Sequence, residues 1–209
     1  MDPGAALAQL CSRYGVEAGS EEALRLRGYL ALLRKWNRRV NLTASTDWPA
    51  LACQLEEALW AARFYPRDGR RHLDIGSGAG FPAVPLRILR PSMRLCMLES
   101  RSRKAAFLET VVAELGMAGT EVVCRRAEEY LESSAAGEWE AVSWKAVRLS
   151  SRALDALLAS SAAGARFWMF HGPELPLREP ARGAESLRLI RRERSPARPA
   201  WRLSIFEPQ

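Results

Sequence analysis

The sequence predicts an α/β protein, a mainly parallel sheet with helices on both faces and a helical extension in front. Three observations carry this. From residue 71 onward, short apolar runs alternate with helix-length segments, and repeated βα units of that size build parallel sheets. A turn with three glycines in five residues, Gly76-Ser77-Gly78-Ala79-Gly80, follows the first run. Before Gly69 two segments carry helical spacing instead.

The first helix opens at Ser20-Glu21-Glu22, where a serine can cap and the acids face the positive end of the dipole. Leu26, Tyr29, Leu30, Leu33 and Trp36 recur on one face, and Arg34, Lys35, Arg38 and Arg39 load the other end. In WNRRVN, Asn37 and Asn41 either cap or turn the chain, or form part of a lid. A second helix covers roughly 49–64, with Leu51, Leu55, Leu59 and Phe64. Residues 1–68 thus read as a helical cap and 69–209 as one compact domain.

Strands are expected at 71–75, 94–99, 121–125, 140–145 and 165–170, and helices at 82–90, 101–116, 127–133 and 150–163. Trp144 and Trp168 lie on strands and are expected in the core. The tail, RLIRRERSP then RPAWRLSIF, reads as two strands around a proline-bearing turn, an antiparallel edge pair that brings the sheet to seven strands.

Composition narrows the function. No run approaches the roughly 20 apolar residues of a membrane span. Asp2 stands where an export signal carries positive charge. The cysteines at 11, 53, 96 and 124 make no C-x-x-C pair, and the only histidines are His72 and His171. A disulfide framework, zinc or another metal is therefore not expected, and a reducing cytoplasm is. Net charge is +7, and 28 of the 31 basic residues are arginine, since lysine occurs only at 35, 104 and 145. Guanidinium binds phosphate as a fork, so nucleic acid is a natural partner, with a solvated basic surface as the plain alternative.

The glycine turn sits where an open α/β sheet binds its ligand. From Gly76, a G-x-G-x-x-G fingerprint would need glycine at 81, where Phe81 stands. A P-loop would need G-K-[ST], which is absent as well. What remains is a G-x-G-x-G turn preceded by Asp74 and followed by Glu99 at the end of the next strand. A carboxylate there can accept from two ribose hydroxyls. That combination suits an adenosine cofactor without pyrophosphate, S-adenosylmethionine above all. Arg126-Ala127-Glu128 could flank an adenine or simply start a helix.

DIGSGAGFP, LES, KAAFL and RAE, preceded by WNRRVNLT, resemble the bacterial 16S ribosomal RNA methyltransferases of the glucose-inhibited division protein B family. The resemblance covers roughly residues 28–172. It implies a class I S-adenosylmethionine-dependent methyltransferase, with a Rossmann-like, mostly parallel seven-stranded sheet, that methylates guanine N7 in small-subunit RNA. Carried over by position, it assigns the cofactor to Gly76, Phe81, Glu99, Ser100, Ala127, Glu128 and Lys145, and the turn itself adds Asp74, Ser77, Gly78 and Gly80. Phe81 would close one wall, and Asp74 would pin the turn or the cofactor's amine.

Four positions depart from the family pattern. Lys145-Ala146 replaces an arginine followed by alanine, and Arg103-Lys104 replaces Lys-Arg. Phe170-His171-Gly172 replaces Leu-Lys-Gly. Cys53-Gln54 and Glu57-Ala58-Leu59 replace Arg-His and Asp-Ser-Leu. Guanine N7 offers a lone pair at neutral pH, so no general base is required and catalysis rests on positioning and electrostatics. Lys145 is the expected catalytic residue beside the methyl donor. Arg103, Lys104, Arg126 and His171 are the expected RNA contacts, with a core or surface role open for His171. A monomer acting on 16S RNA or the small subunit is expected. A small-molecule methyltransferase and a non-catalytic RNA-binding scaffold are the rival readings.

Overall fold

The computed structural model describes residues 3–135, 137–173 and 187–209. Seven strands form one sheet in the order β3-β2-β1-β4-β5-β7-β6. β1 (Arg71–Ile75), β2 (Arg94–Leu98), β3 (Thr120–Val123), β4 (Trp139–Lys145) and β5 (Ser161–His171) run parallel. β6 (Leu187–Arg194) and β7 (Arg202–Pro208) add the antiparallel edge. The expected elements are present, with ends moved by a few residues. Helix α3 spans Trp48–Ala61 and tightens into a 3-10 turn over Ala62–Phe64.

One helix was not foreseen. α1 (Pro3–Arg13) precedes α2 (Glu21–Asn37) and buries Ala6, Leu7, Leu10 and Cys11. Ala6 and Leu7 stand one turn before Leu10 and Cys11, a short apolar face of helical spacing. Ser20 caps α2 by accepting from the Ala23 N–H at 3.2 Å. Asn37 turns the chain after it. Its Oδ1 accepts from the backbone of Leu42 (2.9 Å) and Thr43 (3.0 Å), and its Nδ2 donates to the Thr43 carbonyl (3.1 Å).

Side chains alternate across the strands, as the period of two requires. Leu73, Ile75, Val142, Trp144 and Phe167 face α6 (Ala127–Leu131) and α7 (Ser151–Ser160). Leu95, Met97, Ala141, Trp168 and Ile205 face the other way. There α4 (Ala83–Leu89), α5 (Ser102–Glu114) and the three N-terminal helices cover them. Tyr29, Leu33, Leu51 and Leu55 share one buried cluster with Phe107 and Trp168, so cap and sheet are packed around a common core. Trp144 and Trp168 are both buried, and Tyr65 stacks on Trp168 with centroids 4.3 Å apart. No described helix is long and apolar enough to cross a membrane.

Replacing Asn37 with Ala removes three backbone hydrogen bonds at one turn. Urea unfolding should show the variant less stable by about 1–3 kcal/mol with an unchanged slope.

Candidate functional site

The strand order reverses at β1, which has β2 on one side and β4 on the other. The glycine turn leaves β1 at that switch point. Gly76, Gly78 and Gly80 all have positive φ, at 72°, 56° and 90°. A Cβ at Gly76 would lie 2.6 Å from Val147 Cγ2, and one at Gly80 would lie 2.7 Å from Val84 Cγ2. Gly78 is different. A Cβ there would only touch the Gly76 carbonyl at 3.7 Å and Glu99 Oε2 at 3.9 Å, so its positive φ is what calls for glycine.

Three anchors hold the turn. The Glu99 carboxylate accepts from the Gly78 N–H through Oε2 (2.9 Å) and from the Arg101 N–H through Oε1 (2.8 Å). Ser77 Oγ donates to the Asp74 carbonyl at 3.1 Å. Tyr29, from α2, donates its hydroxyl to the Ala79 carbonyl at 2.6 Å. Each Glu99 oxygen keeps a further lone-pair site.

A cleft of about 190 Å³ opens beside the turn. Gly76, Ser100, Ala127 and Glu128 line it, together with Arg126 and Val147. Gly76, Ser100, Ala127 and Glu128 were expected to meet an adenosine cofactor, and the fold brings these four together from three strand ends; Gly78 and Glu99 are not in the lining. Bare backbone at Gly76 and Gly78 and the acid ending β2 suit such a group. Glu128 Oε1 accepts from Ser150 Oγ at 3.0 Å, which ties the cleft to the start of α7.

Other expected contacts lie beneath the turn. Asp74, Ser77, Gly80 and Phe81 are buried. Phe81 does not line the cleft. It points into the cap-side core, edge-on to Tyr29 with centroids 5.2 Å apart, because the turn directs its side chain under α2. Asp74 Oδ1 accepts from Ser143 Oγ at 2.5 Å, and that oxygen meets His72 Nε2 at 2.8 Å. With the Ser143 proton given to Asp74, His72 Nε2 is the donor. Burial pushes Asp74 up to about 6, against the Ser143 and Ser77 hydrogen bonds, and pulls His72 down to about 3.

Lys145 ends β4 on the cap side of the sheet and does not line this cleft. Its Nζ donates to Glu57 Oε2 of α3 at 2.5 Å, with side-chain exposures of 11% and 1%. The ammonium also lies 5.7 Å from the Trp201 ring centroid, and Arg198 lies 5.1 Å from the same ring. Burial draws Lys145 below its ordinary value, and the Glu57 charge opposes that. Glu57 Oε1 is buried with no hydrogen-bond partner among the described residues. Ala146, next in the chain, is the single non-glycine described residue with positive φ, at 55°. Backbone strain of this kind is held in place only by its surroundings. Glu57 was not expected as a site residue. Its sequence signals were an acid set among apolar neighbours in LEEALWAA and its place where the family pattern has the aspartate of Asp-Ser-Leu.

The expected RNA contacts separate. Arg103 and Arg126 are exposed and Lys104 is half-buried. His171 is 3% exposed. Its Nε2 meets Ser204 Oγ at 2.9 Å and its Nδ1 meets the Gly172 carbonyl at 2.6 Å. The β5–β7 pairing encloses the ring, so it presents no surface for RNA. The described residues contain no cluster of three or more potential metal ligands.

The profile of the family described as rRNA small subunit methyltransferase G matches residues 22–175. A protein named ribosomal RNA small subunit methyltransferase G from Pseudomonas entomophila is 40% identical over 116 residues, 55% of this chain and 54% of its own. A protein of the same name from Nitrosospira multiformis is 40% identical over 129 residues, 61% of this chain and 59% of its own. The chain thus spans a little over half the length of these relatives. A methyltransferase from Aquifex aeolicus, described as SAM dependent, superposes with a TM-score of 0.59 at 14% identity, covering 76% of this chain and 92% of that one. A ribosomal protein L11 methylase from Lactobacillus delbrueckii gives 0.57 at 14% identity, covering 75% and 78%. At that identity the likeness is one of fold.

Two outcomes test the buried charges. Lys145→Met alone leaves the Glu57 carboxylate buried and unpaired, and should cost about 3–5 kcal/mol in chemical denaturation. Adding Glu57→Leu should restore much of it. Asp74 has a raised folded value, so its contribution to stability is present at low pH and lost as pH rises from about 4 through about 6. Across that window Asp74→Asn should gain stability relative to the wild type, measured by thermal unfolding against pH.

Proposed function

We propose, because the chain belongs to the rRNA small subunit methyltransferase G family, that it methylates guanine N7 in small-subunit ribosomal RNA with S-adenosylmethionine. The observation that carries this reading is the glycine turn at the switch point, pinned to Glu99 and opening on the cleft of Gly76, Ser100, Ala127 and Glu128. When bound, the cofactor supplies a methyl group on a sulfonium.

The chain's residues would bind and orient. The free lone pairs of Glu99 suit a pair of vicinal hydroxyls, and Ser100, Ala127 and Glu128 flank the adenine. Gly76 and Gly78 let the backbone come close to the methionine tail. Asp74 is too deeply buried to take the amine without a shift of the turn, so its work is to hold Ser143 and the turn above it. Lys145, locked to Glu57, keeps a fixed positive charge at the end of β4. It acts on the guanine or its phosphate by electrostatics, since N7 carries no proton to remove. Arg126 rims the cleft, and with Arg103 and Lys104 it would grip the RNA nearby.

A cytoplasmic site of action and a monomeric state accompany this reading, and no metal is needed. The 1–68 helices serve as a cap that braces the turn through Tyr29 and the end of β4 through Glu57.

Purified protein with labelled S-adenosylmethionine should place label in 7-methylguanosine of unmodified small-subunit RNA, read by nucleoside mass spectrometry. Label confined to small molecules, or none at all, would overturn the reading. Glu99→Ala removes both the anchor of Gly78 and the hydroxyl acceptor. It should weaken cofactor binding at least about 100-fold in calorimetry, as loss of charged hydrogen bonds predicts.

A further inference from the structure

A second hollow, of about 650 Å³, lies on the cap side at the other end of the strands, near the starts of β1 and β2. The turn between α1 and α2, the end of α3 and the end of α4 enclose it. Its depth below the cleft follows from the strands. Arg67 and Arg90 flank the N-terminal ends of β1 and β2, where Ser92 Oγ donates to the Arg67 carbonyl at 3.1 Å. The five residues of β1 then separate the hollow from the glycine turn by roughly 16 Å.

Arg13, Arg63, Arg67 and Arg90 line the hollow, against Glu17 and Glu22. Arg13 is paired with Glu56 at 3.1 Å. Among the described residues, Arg63, Arg67 and Arg90 form no ion pair. Rings and carbonyls hold them instead. The Arg63 guanidinium lies 5.5 Å from the Trp60 centroid and 4.8 Å from that of Phe64. Arg191, reaching over from β6, lies 4.8 Å from the same Phe64 and extends the basic surface. Arg90 donates to the Ala62 carbonyl at 2.5 Å, and its Nε is buried without a partner. Burial, and next the Arg67 charge, lower Arg90 from its ordinary value.

Four arginines against two glutamates leave the hollow net positive, and Arg67 and Arg90 repel one another, which an anion relieves. A planar fork matches the oxygens of a phosphate. The occupant is better RNA than an acidic protein. Protein contacts want a buried apolar anchor, and none of the described exposed large apolar side chains, Leu24, Leu189 and Ile190, lines the hollow.

We propose that the Arg63–Arg67–Arg90 hollow is a second RNA contact, gripping the phosphodiester backbone at the N-terminal end of the strands, away from the methylated base. This rests on the proposed function for the identity of the RNA. A short oligonucleotide that fills only the cleft region would not reach the hollow, whereas folded small-subunit RNA would.

The test uses Arg63→Gln/Arg67→Gln, both exposed positions, and leaves the structurally bonded Arg90 in place. Filter binding of small-subunit RNA across a salt series should give a slope of log affinity against log salt that is shallower by about 2, near 1 per arginine lost. Binding of a short guanine-containing oligonucleotide should not change, and Arg63→Lys/Arg67→Lys should keep most of the wild-type slope. An unchanged slope with folded RNA overturns the proposal. So does an equal loss with the short oligonucleotide, which would make the effect one of overall charge. A variant slope equal to wild type in a protein that still methylates RNA sinks the hollow and leaves the function standing. A shallower slope in a protein that transfers no methyl group does the reverse.

Discussion

The cleft depends most on one carboxylate that follows β2 and holds the glycine turn after β1. Glu99, at the end of β2, takes the Gly78 N–H with one oxygen and the Arg101 N–H with the other. A turn with three positive-φ residues has many conformations open to it in the unfolded chain and pays heavily to order. A charge-assisted acceptor buried at 6% exposure selects one of them. The same acid that suits a ribose therefore also shapes the backbone presented to the rest of the ligand.

The helical cap completes what the sheet begins. Tyr29 reaches from α2 to the turn, and Glu57 reaches from α3 to Lys145. Both contacts fall on the same side of the sheet, over the Asp74–Ser143–His72 chain. A buried ion pair stabilises little by itself, since desolvation offsets the attraction. What it does do is fix a charge in one place. At the end of β4, beside the strained Ala146, a fixed ammonium would suit the proposed methyl transfer, which needs electrostatics and no proton transfer.

On the proposed function, the two basic regions would divide the binding of RNA between them. Arg126, Arg103 and Lys104 lie toward the cleft end of the strands, and Arg63, Arg67 and Arg90 toward the other. Contacts to phosphate position a nucleic acid without reading its sequence. Two such contacts at opposite ends of the strands would orient a large folded RNA far better than one.

By itself the sequence determined whatever is local. The βα alternation, the glycine turn, the acid closing β2 and the arginine bias follow from neighbours along the chain, and period and spacing expose them. Seven strands and their antiparallel edge were legible for that reason, and so was the cleft lining. The tertiary structure decided the pairings that are distant in sequence. Lys145 and Glu57 are 88 residues apart, so nothing in either segment announces a bond between them. Phe81 and His171 turned inward because α2 and β7 cover them, and burial depends on what packs against a residue rather than on the residue. The arginine hollow likewise exists only where three chain segments meet, since repulsion among like charges is visible in space and silent in sequence.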